Sequence, residues 1–132
     1  MLRYMLDTNI CIYVMKHYPP ELAGRFNCLA DQLCISRVIL AELHYGAEKS
    51  ARRLENLQAI EQFAARLEVL AFSPKAAAHN GQIRAELERA GRPAGAYDML
   101  IGAHARSEGL TVVTNDLREF KRMPSVQVEN WV

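Results

Sequence analysis

The sequence lacks the features that mark membrane and exported proteins. No stretch approaches the roughly 18 consecutive apolar residues of a transmembrane helix, and the N-terminus has no basic start, long apolar core or cleavage site of a signal peptide. Three cysteines, Cys11, Cys28 and Cys34, lie in apolar stretches without C-x-x-C spacing, which favours reduced, buried thiols. We therefore expect a cytoplasmic protein without membrane attachment.

The sequence also lacks an excess of charge and the common nucleotide and zinc motifs. Lysine and arginine total 16 and aspartate and glutamate 15, so any polyanion would have to be bound by a local patch. Neither G-x-G-x-x-G nor a P-loop is present, and the 4 histidines lack H-E-x-x-H spacing. These absences argue against a nucleotide-binding fold and against a zinc site.

What is present is an alternation of short apolar runs with longer segments of helical periodicity. The 132 residues, half of them apolar, suffice for one domain with one core, residues 1–132. Strands are predicted at residues 3–6, 33–36, 68–72, 111–114 and 126–130, and helices at residues 9–16, 20–31, 37–49, 52–66, 74–90 and 97–108. The alternation predicts an α/β fold with a central parallel sheet of four to five strands flanked by helices.

Two carboxylates directly follow predicted strands. Asp7 comes one residue after the first strand, and Asp116 follows the TVVTN segment. In parallel α/β folds, ligands bind beyond the carboxyl ends of the strands, near the point where strand order reverses. The same positions also suit helix capping or turn formation, for which Asp is a common residue. Each residue alone leaves both interpretations open.

Two further carboxylates are predicted to lie on helices at the same edge. Glu42 has apolar neighbours on both sides and follows the second strand by about six residues, whereas Asp98 opens a strongly apolar helix after a glycine-rich turn. A rim glutamate and a first-turn carboxylate favoured by the helix dipole remain the structural alternatives. Four carboxylates at one edge would repel one another unless a cation neutralised them, and oxygen ligands suit Mg²⁺ or Mn²⁺. Such metal sites commonly act on phosphates.

Longer segments carry a family resemblance. MLDTNICIY, AELHYGAEKS, GRPAGAYDMLIGAHARSEGLTVVTNDLREF and the terminal ENWV resemble a PIN-domain ribonuclease of the VapC type, the toxin of bacterial VapBC toxin–antitoxin modules. The resemblance covers nearly the whole chain and depends on ordered D-T-N, A-E-L, Y-D and T-N-D elements. It implies an acidic catalytic site of Asp7, Glu42, Asp98 and Asp116, with Asp7, Asp98 and Asp116 as metal ligands. A polar surround that could contact substrate would comprise Asn9, Ser36, Thr114 and Asn115.

The resemblance also implies an activity and partners. The expected activity is a Mg²⁺- or Mn²⁺-dependent endoribonuclease in which metal-activated water attacks the scissile phosphate, leaving a 5′-phosphate and a 3′-hydroxyl. Structured RNA such as tRNA is the expected substrate. The expected partners are a cognate VapB-type antitoxin and a second copy of the chain in a homodimer.

Two alternatives from other functional classes were compared with the nuclease. A phosphoacceptor signalling domain would need an aspartate after the third strand, and EVLAFS offers none. A PIN-like module that binds RNA or protein without cleaving would be favoured by an incomplete acidic set, but here the set is complete. Basic residues such as Arg92, beside the Gly-Pro loop, are expected mainly on solvated helix faces, with some available to hold RNA phosphates.

Overall fold

One five-stranded parallel sheet organises the chain, and the computed structural model describes residues 1–132. The strands are β1 (Tyr4–Leu6), β2 (Leu33–Ser36), β3 (Glu68–Leu70), β4 (Thr111–Val113) and β5 (Val128–Glu129). Their order is β3-β2-β1-β4-β5, and every neighbouring pair is parallel. The predicted α/β class and parallel sheet are therefore confirmed.

Seven helices flank the sheet. They are α1 (Thr8–Met15), α2 (Pro20–Leu29), α3 (Arg37–Glu48), α4 (Arg53–Ala64), α5 (Pro74–Arg89), α6 (Ala96–Glu108) and α7 (Leu117–Lys121), and a 3₁₀ turn spans Ala30–Gln32. The first six match the predicted helices to within about two residues, the usual uncertainty at helix ends. Helix α7 was not predicted, because five residues are too few to show a helical period.

The middle of the sheet is buried on both faces. All residues of β1 and β2 are buried, as are Val112 and Val113 of β4. Parallel sheets are covered by helices on both sides, so their strands are uniformly apolar rather than alternating. The chain moves outward from β1 to β3 and then crosses back to β4, so the strand order reverses between β1 and β4. This reversal is where a ligand site is expected.

Helix ends follow the local sequence. The Ser73 hydroxyl accepts a hydrogen bond from the Ala76 N–H at 3.2 Å, with Pro74 at the first position of α5. Helix α6 ends at Gly109, whose φ of 70° is left-handed, and Gly91 after α5 has a φ of 67°. Glycine adopts this conformation without the steric penalty of a Cβ. The residues at these three helix ends therefore account for where the helices begin and end.

One cysteine differs from its prediction. Cys11 and Cys34 are buried and free, as expected, but Cys28 is exposed. Helix α2 buries Leu22 and Phe26, which are four residues apart on one face. Cys28 lies two residues after Phe26, about 200° around the helix, so it faces solvent. The apolar neighbours of Cys28 in the sequence therefore do not indicate its burial.

Helix α6 is the most buried helix and positions the site. Residues 101–105 are all buried, together with Met99 and Ser107. A Cβ on Gly102 would lie 2.5 Å from the sulfur of Met123, so a larger residue there would require the Met123 side chain to shift. Helix α6 is thus closely packed against the segment after α7. No helix is both long and apolar enough to cross a membrane.

Candidate active site

Asp7 is the buried carboxylate at the end of the central strand. Its side chain is 8% exposed, and its Oδ1 accepts a hydrogen bond from the Thr8 N–H at 2.8 Å, which caps α1. Its Oδ2 accepts a hydrogen bond from the Thr114 hydroxyl at 2.9 Å. Burial raises the pKa of Asp7 despite these two hydrogen bonds. Asp7 therefore serves as a helix cap and also brings a desolvated charge to the reversal point.

Thr114 connects Asp7 to the segment after β4. Its side chain is fully buried, and its Oγ1 accepts a hydrogen bond from the Asp116 N–H at 2.9 Å while its O–H donates to Asp7. Asp116 occupies the N-cap position of α7, but its side chain makes no capping hydrogen bond. The exposed Asp116 carboxylate therefore remains free for a ligand.

Asp98 is the carboxylate most affected by its neighbours. It lies half-buried in the first turn of α6 and accepts no hydrogen bond within the protein. Burial raises its pKa to about 6, with further contributions from the charges of Asp7, Glu119, Asp116 and Glu42 in decreasing order. The end of β1 and the helices α3, α6 and α7 thus bring carboxylates to one region, close enough for their charges to affect the pKa of Asp98.

Glu42 lies at the rim of this region. It is half-buried on α3, and its Oε2 is 3.4 Å from the Thr8 hydroxyl, which donates to it. Of the four charges acting on Asp98, that of Glu42 has the smallest effect. Glu42 is therefore brought to the cluster but is the outermost of the predicted acids relative to Asp98.

Glu119 belongs to the cluster and was not predicted from the sequence. Its Oε1 accepts a hydrogen bond from the Gly95 N–H at 2.9 Å, and its Oε2 lies 3.5 Å from Arg122 Nη1. A Cβ on Gly95 would lie 3.4 Å from Asp98 Oδ2 and 3.5 Å from Glu119 Oε1, so both acids flank this glycine. The sequence signal for Glu119 was its position three residues after Asp116. That spacing puts the two side chains on one face only if the segment is helical, and α7 is too short to predict.

The four predicted polar residues occupy different environments. Asn9 is exposed, and the exposed Asn115 donates a hydrogen bond from its side-chain amide to the Tyr13 hydroxyl at 3.2 Å. Thr114 orients Asp7. Ser36 is fully buried, so it does not face a substrate: its hydroxyl accepts from the Val38 N–H and lies 2.9 Å from the His104 ring. Asn9 and Asn115 remain the predicted residues that a substrate could contact.

The comparison with known proteins agrees with this geometry. A family model described as the PIN domain matches residues 4–126. The chain is 53% identical over 131 residues to the tRNA(fMet)-specific endonuclease VapC of Salmonella typhimurium, covering 99% of both chains, and 53% identical over 132 residues to ribonuclease VapC2 of Haemophilus influenzae, covering all of both. This chain belongs to the PIN-domain family, in its VapC branch.

Solved structures give the same assignment. The DNA-bound VapBC of Salmonella typhimurium contains a chain with 52% identity and a TM-score of 0.96, with complete coverage of both chains. VapBC2 of Rickettsia felis bound to a promoter DNA fragment gives 41% identity and a TM-score of 0.93, covering 99% of this chain and 100% of that chain. The predicted resemblance to a VapC-type PIN-domain ribonuclease is therefore confirmed, whereas the roles of individual site residues remain predictions.

The acidic cluster of this PIN domain fits a hard divalent cation. All of its donors are carboxylate oxygens, the ligand type that Mg²⁺ and Mn²⁺ prefer. No three acidic, histidine or cysteine side chains are arranged to enclose one ion by themselves, although burial and the charges of the neighbouring acids raise the pKa of Asp98. Mg²⁺ keeps several water ligands and commonly binds through one or two carboxylates. The acidic cluster could therefore bind such an ion with few direct protein ligands, because its negative charge attracts the hydrated cation.

The acidic cluster should destabilise the metal-free PIN domain above pH 6. The pKa of Asp98 is raised to about 6 in the folded protein, against about 3.9 in an unfolded chain. The folded state therefore binds more protons between these values, so stability falls as pH rises through that window and stays reduced above it. In chelator at pH 7.5, Asp98→Asn should raise the melting temperature by about 2–5 °C.

The control for this measurement is Asp31→Asn. Asp31 is an exposed aspartate just before β2, at the amino-terminal ends of the strands and away from the acidic cluster. This variant should leave the melting temperature nearly unchanged, and the gain from Asp98→Asn should shrink as the pH falls from 6 to 4. Mn²⁺ should stabilise the wild type more than Asp98→Asn. A lower melting temperature for Asp98→Asn at every pH would show instead that Asp98 stabilises the helix end.

Proposed function

We propose that this chain is a cytoplasmic, divalent-metal-dependent endoribonuclease that acts as the toxin of a toxin–antitoxin pair. The observation that carries the proposal is the convergence of acids from the end of β1 and from α3, α6 and α7 at the β1/β4 reversal point, together with the raised pKa of Asp98. A solely structural site has no reason to gather charges that repel one another. Relatives named as ribonucleases and a tRNA(fMet)-specific endonuclease support RNA, including tRNA, as the substrate class.

The side chains of the protein have separable roles in this proposal. Asp7, Asp98 and Asp116 would hold Mg²⁺ or Mn²⁺ partly through water ligands, because no three of these side chains enclose an ion by themselves. The ion would neutralise charge and activate water for attack on a phosphodiester. Thr114 fixes the direction of the Asp7 carboxylate by donating to its Oδ2. Asp98 has no internal donor, so its oxygens stay available in the open cluster. Glu42, whose Oε2 lies 3.4 Å from the Thr8 hydroxyl at the rim, would orient a water molecule.

The non-cleaving alternative is less well supported. A module that only binds RNA or protein would gain a helix cap from Asp7. It would gain nothing from the acids gathered around Asp98, whose pKa is raised by burial and by their charges. RNA is a polyanion, and an uncompensated acidic cluster repels it, so this region suits RNA only when cations neutralise it. The complete set of acids at the reversal point therefore favours catalysis over binding alone.

Loss of either central acid should abolish cleavage. Asp7→Asn or Asp98→Asn should lower the rate of RNA cleavage by at least about 100-fold, as expected for the loss of a group that stabilises charge in the transition state. The measurement is cleavage of total RNA and of purified tRNA by the antitoxin-free protein in Mg²⁺ or Mn²⁺, followed by mapping of product ends. Asp31→Asn is the matched control and should cleave at the wild-type rate.

The chemistry of the ends decides the mechanism. Products should carry a 5′-phosphate and a 3′-hydroxyl, because the attacking oxygen comes from water. Undiminished cutting in excess chelator, or products with a 2′,3′-cyclic phosphate, would contradict the proposal.

A groove beside the acidic cluster supports an antitoxin partner. It has a volume of about 350 Å³, lies between α1, α3 and α4, and is lined by six apolar residues together with Lys16, Glu42, Gly46 and Asn56. Solved relatives are complexes named VapBC. We propose that a cognate antitoxin lays an apolar segment in this groove and directs an arginine or lysine at the acids. A basic side chain can neutralise carboxylates as a metal ion does, and arginine can do so with two hydrogen bonds.

The assembly should be testable in solution. We expect a homodimer at micromolar concentration by light scattering, and inhibition by the cognate antitoxin that weakens when its pocket-directed basic residue is changed to alanine. Replacement of a basic antitoxin residue outside the groove is the control. A monomeric toxin would refute the dimer, and inhibition that is insensitive to the basic residue would refute charge neutralisation.

A further inference from the structure

A concave basic surface lies next to the acidic cluster. We call it the basic patch and define it as Arg92, Arg118, Lys121 and Arg122. These four residues alone line a concavity of about 460 Å³, and none of its lining residues is apolar. An apolar ligand would find no contact surface there, whereas a hydrated anion would find four cations.

The fold assembles the patch from two segments. Arg118, Lys121 and Arg122 are three and four residues apart at α7 and its C-terminal end, so they share one side. Arg92 comes from the loop between α5 and α6. The two segments are joined because Arg122 Nη1 donates to the Pro93 carbonyl at 2.9 Å. The side chain of Arg122 therefore has a structural contact as well as a charge.

The patch is little compensated by acids. Only Arg122 lies within ion-pair distance of a carboxylate, that of Glu119 at 3.5 Å. Arg92, Arg118 and Lys121 are exposed and form no ion pair. The dipole of α7 favours cations near its end, but this does not account for Arg92, which belongs to another segment. The arrangement thus leaves at least three cations available to an external anion.

Glu119 places the patch directly beside the proposed catalytic centre. One carboxylate oxygen of Glu119 faces Gly95, next to Asp98, and the other faces Arg122. A strand with its scissile phosphate over the acids would therefore run past the patch within a short distance. Because the whole chain carries a formal charge of only +1, long-range attraction contributes little and a local cation cluster must provide the hold.

We propose that the basic patch binds the backbone phosphates of the RNA strand that flanks the scissile phosphate, and so positions RNA on the acidic cluster. The inference depends on the proposed ribonuclease function. It assigns Arg118 and Lys121 as the binding residues best suited to a test, since both are exposed and neither has a hydrogen bond or ion pair to lose. Arg122 is unsuitable because its replacement would also release the loop at Pro93.

The test compares a patch variant with a matched control of equal charge change. The patch variant is Arg118→Gln/Lys121→Gln. The control is Arg3→Gln/Lys75→Gln, which removes two exposed cations that form no ion pair. Arg3 precedes β1, at the amino-terminal ends of the strands, and Lys75 lies on α5. For each protein, kcat and KM are measured with a tRNA substrate across a range of NaCl concentrations. Binding of the same RNA is measured in the Asp98→Asn background, where cleavage does not interfere.

The patch variant should lose binding while keeping chemistry. Each lost phosphate contact reduces the magnitude of the slope of log affinity against log salt by roughly 0.7. The loss of two contacts should therefore reduce it by roughly 1.4 and raise KM about ten-fold near 0.15 M salt. The kcat should stay within about two-fold of wild type, and the control should match wild type in KM and slope. Arg118→Lys/Lys121→Arg, which retains both charges, should restore KM.

Other results would overturn the inference. Equal KM and equal salt slope in the patch variant and the control would show that the patch does not hold RNA. A fall in kcat without a change in KM would also contradict it. If wild-type protein cleaves no RNA in Mg²⁺ or Mn²⁺, the proposed function fails, whereas the salt slope of RNA binding in the Asp98→Asn background still decides whether the patch binds phosphates.

Discussion

Partly buried carboxylates crowd together at the β1/β4 reversal point, where desolvation first and mutual repulsion second oppose their ionisation, and the surrounding elements must hold them there. Asp7 is nearly inaccessible to water, and Asp98 experiences the charges of four neighbouring acids. Hydrogen bonds from Thr8 and Thr114 offset part of the cost of burying Asp7, but its pKa is still raised because desolvation is the larger effect. A fold that maintains this arrangement without a cation sacrifices stability, which is the usual trade between stability and a functional site. Neutralisation by a divalent ion, or by a basic side chain of an antitoxin, would relieve the same repulsion.

The scaffold keeps the acids close because the elements that carry them cannot easily move apart. Asp7 ends a strand buried on both faces, and its N–H donates to the Val113 carbonyl at 2.9 Å, as part of the pairing between β1 and β4. Asp98 lies on α6, whose buried sides and close approach at Gly102 leave little room for a shift. The buried contact between Ser36 and His104 joins the start of α3 to α6, and burial lowers the pKa of His104, which favours a neutral ring. Rigid elements thus oppose the separation that charge repulsion would otherwise produce.

Much of this organisation could be predicted from the sequence, for identifiable reasons. The strands and the positions of Asp7 and Asp116 follow from short apolar runs that end in polar residues, and parallel pairing brings their ends to one edge. Other features depend on contacts between distant segments. Glu119 and the basic patch require α7, which is too short for periodicity to reveal, and Arg92 joins the patch only through the contact of Arg122 with Pro93. Ser36, the last residue of β2, was expected in the polar surround from the family resemblance, but its hydroxyl is buried against His104. Cys28 lies on the solvent side of α2.

The most direct measurement of the central claim is the titration of the aspartate side-chain carboxyl carbons by ¹³C NMR in metal-free protein, repeated with saturating Mg²⁺. The Asp98 resonance should titrate near pH 6 without metal, as its raised pKa of about 6 requires. With Mg²⁺, its midpoint should move to lower pH, because a bound cation favours the ionised carboxylate. An Asp98 midpoint near its ordinary value of about 4, unchanged by Mg²⁺, would contradict the account.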